Sequence, residues 1–384
     1  MSKPDSKTAN RRPEKSCQVG SKCEADRAAS PGSGGTTSPT NSNPDPNPTT
    51  PSKPRPGEIA APDLTKNLKS ITPIMSNSYV VHDQTSAPQL SESLVIDHSR
   101  LVETQTRIMS LIRNPCGTSL VFLFGARAAG KTVLVQRLLR EHDEPYRALI
   151  AKAPSLVPSC EVQVPPSDNG GENWREVQIG TLVALNELHL DNNATHLGSP
   201  HHIGRLLAMA LKKRKTGLLI YDEAQHFTEA TGFRGGRLQL EYIQLIARLS
   251  GTIILLAGTY ELLKLLPRSG QLARGIQPVH LARYRGDDPN DRQTFRELIL
   301  TFQQALPMPA KPPLVDQVEF LYRGSLGCVG LLTCWLNRGL ALAIKSKSRH
   351  MTVEHLIETM LPRRTLERAE QGIQEGERMA ADYE

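Results

Sequence analysis

The sequence predicts an α/β fold, a parallel sheet with helices on both faces, followed by a small all-helical part and preceded by a disordered N-terminal tail. Three observations predict it. The apolar run Leu120–Phe124 opens into Gly125-x-x-x-x-Gly130-Lys131-Thr132 and then an amphipathic stretch, which is the strand–loop–helix context of a P-loop. Apolar runs of strand length then alternate with helical segments, as in successive βα units. From Asp291 onward the pattern is wholly helical.

Taken in order, the chain begins with a tail. Its first 78 residues contain no Phe, Trp or Tyr, and eight prolines lie between Pro31 and Ala60 among Gly, Ser, Thr and Asn. Such a segment buries too little apolar area to offset its ordering entropy, so residues 1–93 are expected to be mostly disordered. The Ser-rich basic start carries Asp5, Glu14, Glu24 and Asp26, against a transit peptide. There is no signal peptide and no apolar run near the length of a membrane span, so a cytoplasmic protein with no membrane partner is expected. The six cysteines, Cys17, Cys23, Cys116, Cys160, Cys328 and Cys334, lack a zinc-like spacing with histidine and are expected to be reduced thiols.

A helix over His98–Arg113 precedes the P-loop strand. In the loop itself, Gly125 and Gly130 let the backbone turn its N–H groups inward on a phosphate chain. The stretch Gly125, Ala126, Arg127, Ala128, Ala129, Gly130, Lys131, Thr132 and Val133 is the candidate ATP-binding segment. Lys131 brings a cation to the β- and γ-phosphates, and the Thr132 hydroxyl is placed to ligate Mg²⁺. The helix that starts there adds its positive dipole end.

Tyr146–Ala151 reads as the second strand, and Lys152–Pro200, broken by prolines and Gly170-Gly171, as a connecting region. A helix over Ile203–Leu211 ends in the basic cluster Lys212–Lys215, where cations suit a helix C-terminus. Gly217–Tyr221 is the third strand, ending in Asp222-Glu223. An acidic residue at such a strand end completes a Mg²⁺ shell, so Asp222 is the second candidate metal ligand, and the adjacent Glu223 the candidate general base. Thr252–Ala257 is a fourth strand ending in Gly258-Thr259. If it inserts between the P-loop strand and the acidic strand, Thr259 lies beside the γ-phosphate and resembles the sensor of AAA+ ATPases; a cap for the next helix is the other reading, compatible with the first. A fifth strand is expected near Val279–Leu281. Helices follow over Arg292–Ala305, Leu314–Tyr322, Cys328–Lys345, Thr352–Met360 and Arg363–Glu377.

The run Leu218–Phe227 (LLIYDEAQHF), the strand end Leu256-Ala-Gly-Thr259, and Ser269-Gly-Gln-Leu-Ala-Arg274 with Val279-His-Leu-Ala-Arg283-Tyr284 resemble the TnsC/TniB group, AAA+ ATPases that regulate DNA transposition. The resemblance runs from about His98 to the C-terminus. It implies an AAA+ ATPase domain over 94–290 and a helical lid with a C-terminal helix over 291–384. It also implies a self-assembling ATP-dependent ring or helical oligomer on double-stranded DNA, linking a target-selector protein to a transposase. An arginine finger acting on the neighbouring subunit's ATP is implied among Arg268, Arg274 and Arg283, with Arg274 the choice by its place after the sensor strand. Many relatives carry an arginine early in the lid helix equivalent to Cys328–Lys345. Here Gly324-Ser-Leu-Gly-Cys-Val-Gly330 offers no cation, and Arg338 sits turns too late, so that contact is expected to be absent.

A net charge of +7 is compatible with a polyanionic partner. Lys152 and Arg175 are the candidate phosphate contacts in the connecting region. The helix Thr365–Glu384, with Leu366, Ala369 and Ile373 on one side, is read either as a docking point for a transposase or as the end of the lid. The alternatives to a transposition regulator are a STAND-like ATP-dependent signalling switch without DNA and a helicase loader of the IstB/DnaC type.

Overall fold

The computed structural model describes residues 97–166, 174–188, 198–228, 232–266 and 275–383. The elements run α1 (Ser99–Arg113), β1 (Leu120–Phe124), α2 (Lys131–Asp143), α3 (Arg147–Lys152), β2 (Ser159–Gln163), α4 (Trp174–Ala184), α5 (Pro200–Arg214) and β3 (Leu218–Asp222). They continue with α6 (Gly232–Ser250), β4 (Ile253–Gly258), β5 (Ile276–His280), α7 (Pro289–Ala305), α8 (Val318–Ser325), α9 (Val329–Lys345), α10 (Val353–Thr359) and α11 (Arg363–Ala380). Short 3-10 turns follow α2, β3 and β4.

The strands form one parallel sheet in the order β2-β3-β4-β1-β5. Strand β4 therefore does insert between β1 and β3, and the register Phe124↔Gly258 brings the ends of β1 and β4 level. Strands β1, β3 and β4 are buried along their whole length, as their unbroken apolar runs require of a sheet covered on both faces.

The expected second strand fails. Tyr146–Ala151 is no strand: Glu144–Tyr146 is a 3-10 turn and Arg147–Lys152 is helix α3, which buries no residue and leaves Leu149 54% exposed. Pro145 pre-sets the turn, and Ala148, Leu149 and Ala151 are good helix formers. The strand slot goes to Ser-Cys-Glu-Val-Gln, an edge strand of weak apolar character that, among the described residues, pairs with β3 alone. The fifth strand is longer than expected and begins at Ile276.

Sequence signals set the helix starts. Ser199 accepts a hydrogen bond from His202 N–H with Pro200 next, and Asp288 accepts one from Asn290 N–H with Pro289 next. In the basic cluster at the end of α5, Lys213 and Arg214 both pair with Glu187 (3.0 and 2.7 Å), so part of that charge is used internally.

The described residues form two apolar cores. One surrounds the sheet. The other joins α7 to α10 around Phe295, Phe302, Trp335 and Leu336, with Trp335 Nε1 donating to the Leu356 carbonyl (2.9 Å). Helix α11 does not belong to the second core: Ile373 and Ala380 pack into the sheet core beside the 3-10 turn Tyr260–Leu265. Among the described residues no single helix is long and apolar enough to cross a membrane, and four cysteines are free thiols.

Candidate nucleotide site

The P-loop hangs from the C-terminal end of β1. Gly125 is required by a close approach: a Cβ there would lie 2.4 Å from the Leu281 carbonyl oxygen, where the chain leaving β5 donates Leu281 N–H to Phe124 O (2.8 Å). Gly130, at φ +106, is the left-handed residue from which α2 starts, and Ala128 also takes a positive φ of 60. Within the loop Ala126 and Ala129 are buried, while Arg127 and Ala128 are exposed; Val133 faces partly inward.

Lys131 is buried, with Nζ donating to the carbonyls of Gly125 (3.2 Å) and Ala126 (2.8 Å). Burial pulls its pKa below the usual lysine value, and the negative charges of Glu223 and Asp222 act in the opposite direction. The loop thus holds its ammonium on its own carbonyls, within the field of both carboxylates.

Those carboxylates come from the end of β3. Thr132 Oγ1 donates to Asp222 Oδ2 (3.2 Å), and Asp222 Oδ1 accepts Glu223 N–H (2.9 Å). Burial raises the Asp222 pKa, as does the Glu223 charge, against the hydrogen bonds from Glu223 N–H and Thr132. Glu223 itself has φ +54, a left-handed conformation that is uncommon for a residue with a Cβ and turns the chain sharply off the strand. Its carboxylate accepts a hydrogen bond from Gln225 Nε2.

Thr259 follows the end of β4, between the P-loop and β3. It precedes the 3-10 turn, yet its hydroxyl makes no capping hydrogen bond, so the cap reading does not hold. Its backbone N–H donates to Gln225 Oε1 (3.1 Å).

Arg274 and Arg268 lie outside the described residues, as does the Ser269–Arg274 segment. The third arginine, Arg283, is committed within the chain: Nε and Nη2 donate to Glu377 of α11 (2.8 and 3.2 Å), and Nη1 to the Leu326 carbonyl (3.1 Å). Burial opposes its charge, but the Glu377 hydrogen bond and charge prevail and raise its pKa. Arg338 is exposed on α9. At the start of α9, where a cation was expected to be absent, backbone meets backbone: Gly330 N–H donates to the Ala128 carbonyl (2.9 Å), and a Cβ on Gly330 would come within 2.6 Å of that oxygen. Of the candidate phosphate contacts, Lys152 is exposed at the end of α3 and Arg175 is half-buried in α4; residues 167–173 and 189–197 of the connecting region lie outside the described residues.

Sequence reasoning missed two groups. Glu161 on β2 accepts from Gln136 Nε2 (2.6 Å), and burial, then the Asp222 charge, raise its pKa. The misplaced second strand hid it. Gln225 follows Glu223 by two residues, and that closeness to the candidate base is the one signal the sequence offers for it; its burial is visible only in the fold.

No curated protein matches this chain. Among solved structures, a Walker-type ATPase of Pyrococcus abyssi is similar at 18% identity and a TM-score of 0.48, over 77% of this chain and 78% of that one. The Aeropyrum pernix ORC2 protein in its ADP form is similar at 11% identity and a TM-score of 0.45, over 70% of each chain. The Aeropyrum pernix ORC1 protein in complex with DNA is similar at 15% identity and a TM-score of 0.48, over 69% of this chain and 65% of that one. Residues 116–266 match a family described as an AAA domain, and the parallel five-stranded sheet, its P-loop and the helical C-terminal part together make this a P-loop AAA fold.

Proposed function

We propose that the protein is an ATP-binding and ATP-hydrolysing regulator of DNA transposition, which assembles on duplex DNA in its ATP state and links a target selector to a transposase. The observation that carries the ATPase part is the convergence of Lys131, Thr132, Asp222 and Glu223 at one end of the sheet, with Thr259 just past the end of the strand between. The transposition part is supported by the resemblance of the DEAQH run, together with the Ser269–Arg274 segment, to the TnsC/TniB group.

The chemistry follows from these groups. Lys131 exchanges its two carbonyl partners for the β- and γ-phosphates, and the loop N–H groups cradle the chain. Thr132 and Asp222 present two hard oxygens at one point, a donor set that fits Mg²⁺, which when bound supplies charge neutralisation to the phosphates. Glu223 takes the proton of the attacking water, and the Thr259 hydroxyl orients that water. With Arg283 tied to Glu377, Arg274 is the proposed finger toward the neighbouring subunit's ATP.

The test is duplex DNA binding with and without a non-hydrolysable ATP analogue across a salt series. The reading expects affinity that falls steeply with salt, varies little with sequence and strengthens with the analogue. No binding in either state at low salt would favour an ATP-dependent signalling switch without DNA.

A further inference from the structure

Gln225 is 4% exposed and lies on the 3-10 turn Ala224–Thr228 that leaves β3. Its carboxamide bridges two strands. Nε2 donates to the Glu223 carboxylate, and Oε1 accepts the Thr259 backbone N–H (3.1 Å). Only one orientation of the amide satisfies both neighbours, because the flipped group would set oxygen against carboxylate and N–H₂ against N–H.

The surroundings are built to keep that bridge. The turn is pinned by Thr228 Oγ1, which donates to the Gln225 carbonyl (2.7 Å). Gly258 at the end of β4 leaves room for it: a Cβ there would lie 2.7 Å from Gln225 Oε1 and 3.1 Å from the Gln225 backbone nitrogen. Glu223 is thereby fixed at three points: a left-handed backbone, an N–H held by Asp222 Oδ1, and a carboxylate held by Gln225. A strained residue that its neighbours over-determine in this way is an observation from which a functional role can be argued.

Resting on the assignment of Glu223 as general base, we infer that Gln225 is a positioning residue for ATP hydrolysis, which sets the Glu223 carboxylate in register with Thr259 at the end of β4. The amide touches neither phosphate nor water in this role. It links the base on one strand to the segment that senses the γ-phosphate on the next, so that the two are aimed as one unit. Misplacement of a reacting group by about 1 Å can cost on the order of 100-fold in rate.

Two variants separate this role from a merely structural one. Gln225→Glu keeps the acceptor for Thr259 N–H and loses the donor to Glu223; Gln225→Met loses both at similar size. The proposal expects kcat to fall by roughly 10- to 100-fold in each, while KM for ATP and the affinity for a non-hydrolysable analogue change by less than about twofold. In a Glu223→Gln background, Gln225→Met is expected to remove nothing further, because the group it positions has already been lost. Near-normal kcat in Gln225→Glu overturns the proposal, as does an undiminished further loss in the double variant. Glu223→Gln alone distinguishes the two levels. Normal turnover there removes the base assignment and this proposal with it. Slow turnover there beside normal turnover in the Gln225 variants removes only the proposal.

Discussion

Thr132 Oγ1 donates to Asp222 Oδ2 across 3.2 Å and so joins the first turn of α2 to the end of β3, although β4 separates their two strands in the sheet. The contact exists because the parallel register, with Phe124 level with Gly258 and Tyr221 with Leu256, brings the ends of β1, β4 and β3 to one edge of the sheet. It places a hydroxyl and a carboxylate where a hard cation needs oxygen ligands. It also leaves Asp222 and Glu223 with Lys131 as a buried positive neighbour, in a site whose burial works against all the charged forms that are shifted.

Lys131→Ala is expected to abolish ATP binding and any ATP-dependent assembly together. The ammonium is the one charged group that the P-loop itself aims inward, since Arg127 is exposed. Equilibrium binding of a fluorescent ATP analogue checks this, and unchanged affinity would remove the P-loop assignment.

Glu223→Gln retains size and the left-handed turn but cannot take a proton. Binding of ATP should persist while hydrolysis slows by roughly 10²–10⁴-fold, the usual worth of a positioned general base. Single-turnover hydrolysis measures it, and a near wild-type rate would assign the base elsewhere.

The parts of this site that were legible in the sequence are those written in short contiguous patterns. The loop Gly125–Thr132, the pair Asp222-Glu223 and Thr259 each follow an apolar strand that is buried throughout, and unbroken apolar runs announce such strands. The edge strand Ser159–Gln163 carries no such run, because an edge pairs on one side only, and Tyr146–Ala151 offered a more apolar decoy. Glu161 was lost with it. The pairings of Arg283 with Glu377 and of Gly330 with Ala128 join residues far apart in the chain, and no local pattern encodes them.

Stability should depend on pH through His98. It is buried at the start of α1, shares a hydrogen bond with Tyr284 OH (2.9 Å), and has its pKa lowered from 6.5 to about 4 by burial and by the charges of Arg137 and Arg100, against Asp97. The unfolded chain takes up the proton near 6.5 and the folded one only near 4, so stability is lost as pH falls through that window. The loss contributed by this one group approaches about 3 kcal/mol. His98→Gln should flatten the fall in melting temperature between pH 7 and pH 4.5; an identical fall in both proteins would refute the assignment.

The Arg283–Glu377 pair ties α11 to the segment between β5 and α7, with the two side chains 10% and 25% exposed. Removing either partner leaves a charge poorly solvated, so Arg283→Ala and Glu377→Ala should each cost about 1–3 kcal/mol. The double variant should lose much less than their sum, a coupling that denaturant unfolding of the four proteins measures. Additive losses would show that the pair contributes nothing of its own.

Helix α11 does not finish the helical part formed by α7 to α10, as the end-of-lid expectation had it: its buried residues pack on the sheet core, which makes it a structural cover there. Its buried residues are Ile373, Gly376 and Ala380, spaced along one face, whereas Ala369, expected on that face, is exposed. Gly376 lies flat against the Tyr260 ring, where a Cβ would be 2.1 Å from the nearest ring carbon, and Tyr260 directly follows Thr259. Trimming the chain after Arg364 strips this cover from the sheet core, at a cost of about 2–4 kcal/mol for the apolar burial lost. Such a loss should lower the melting temperature by several degrees. Gly376→Val should do the same with the chain intact, by levering the helix away from Tyr260. If the trimmed protein keeps its melting temperature and ATPase rate but no longer binds a transposase, α11 is a docking helix after all, and its contact with Tyr260 is incidental.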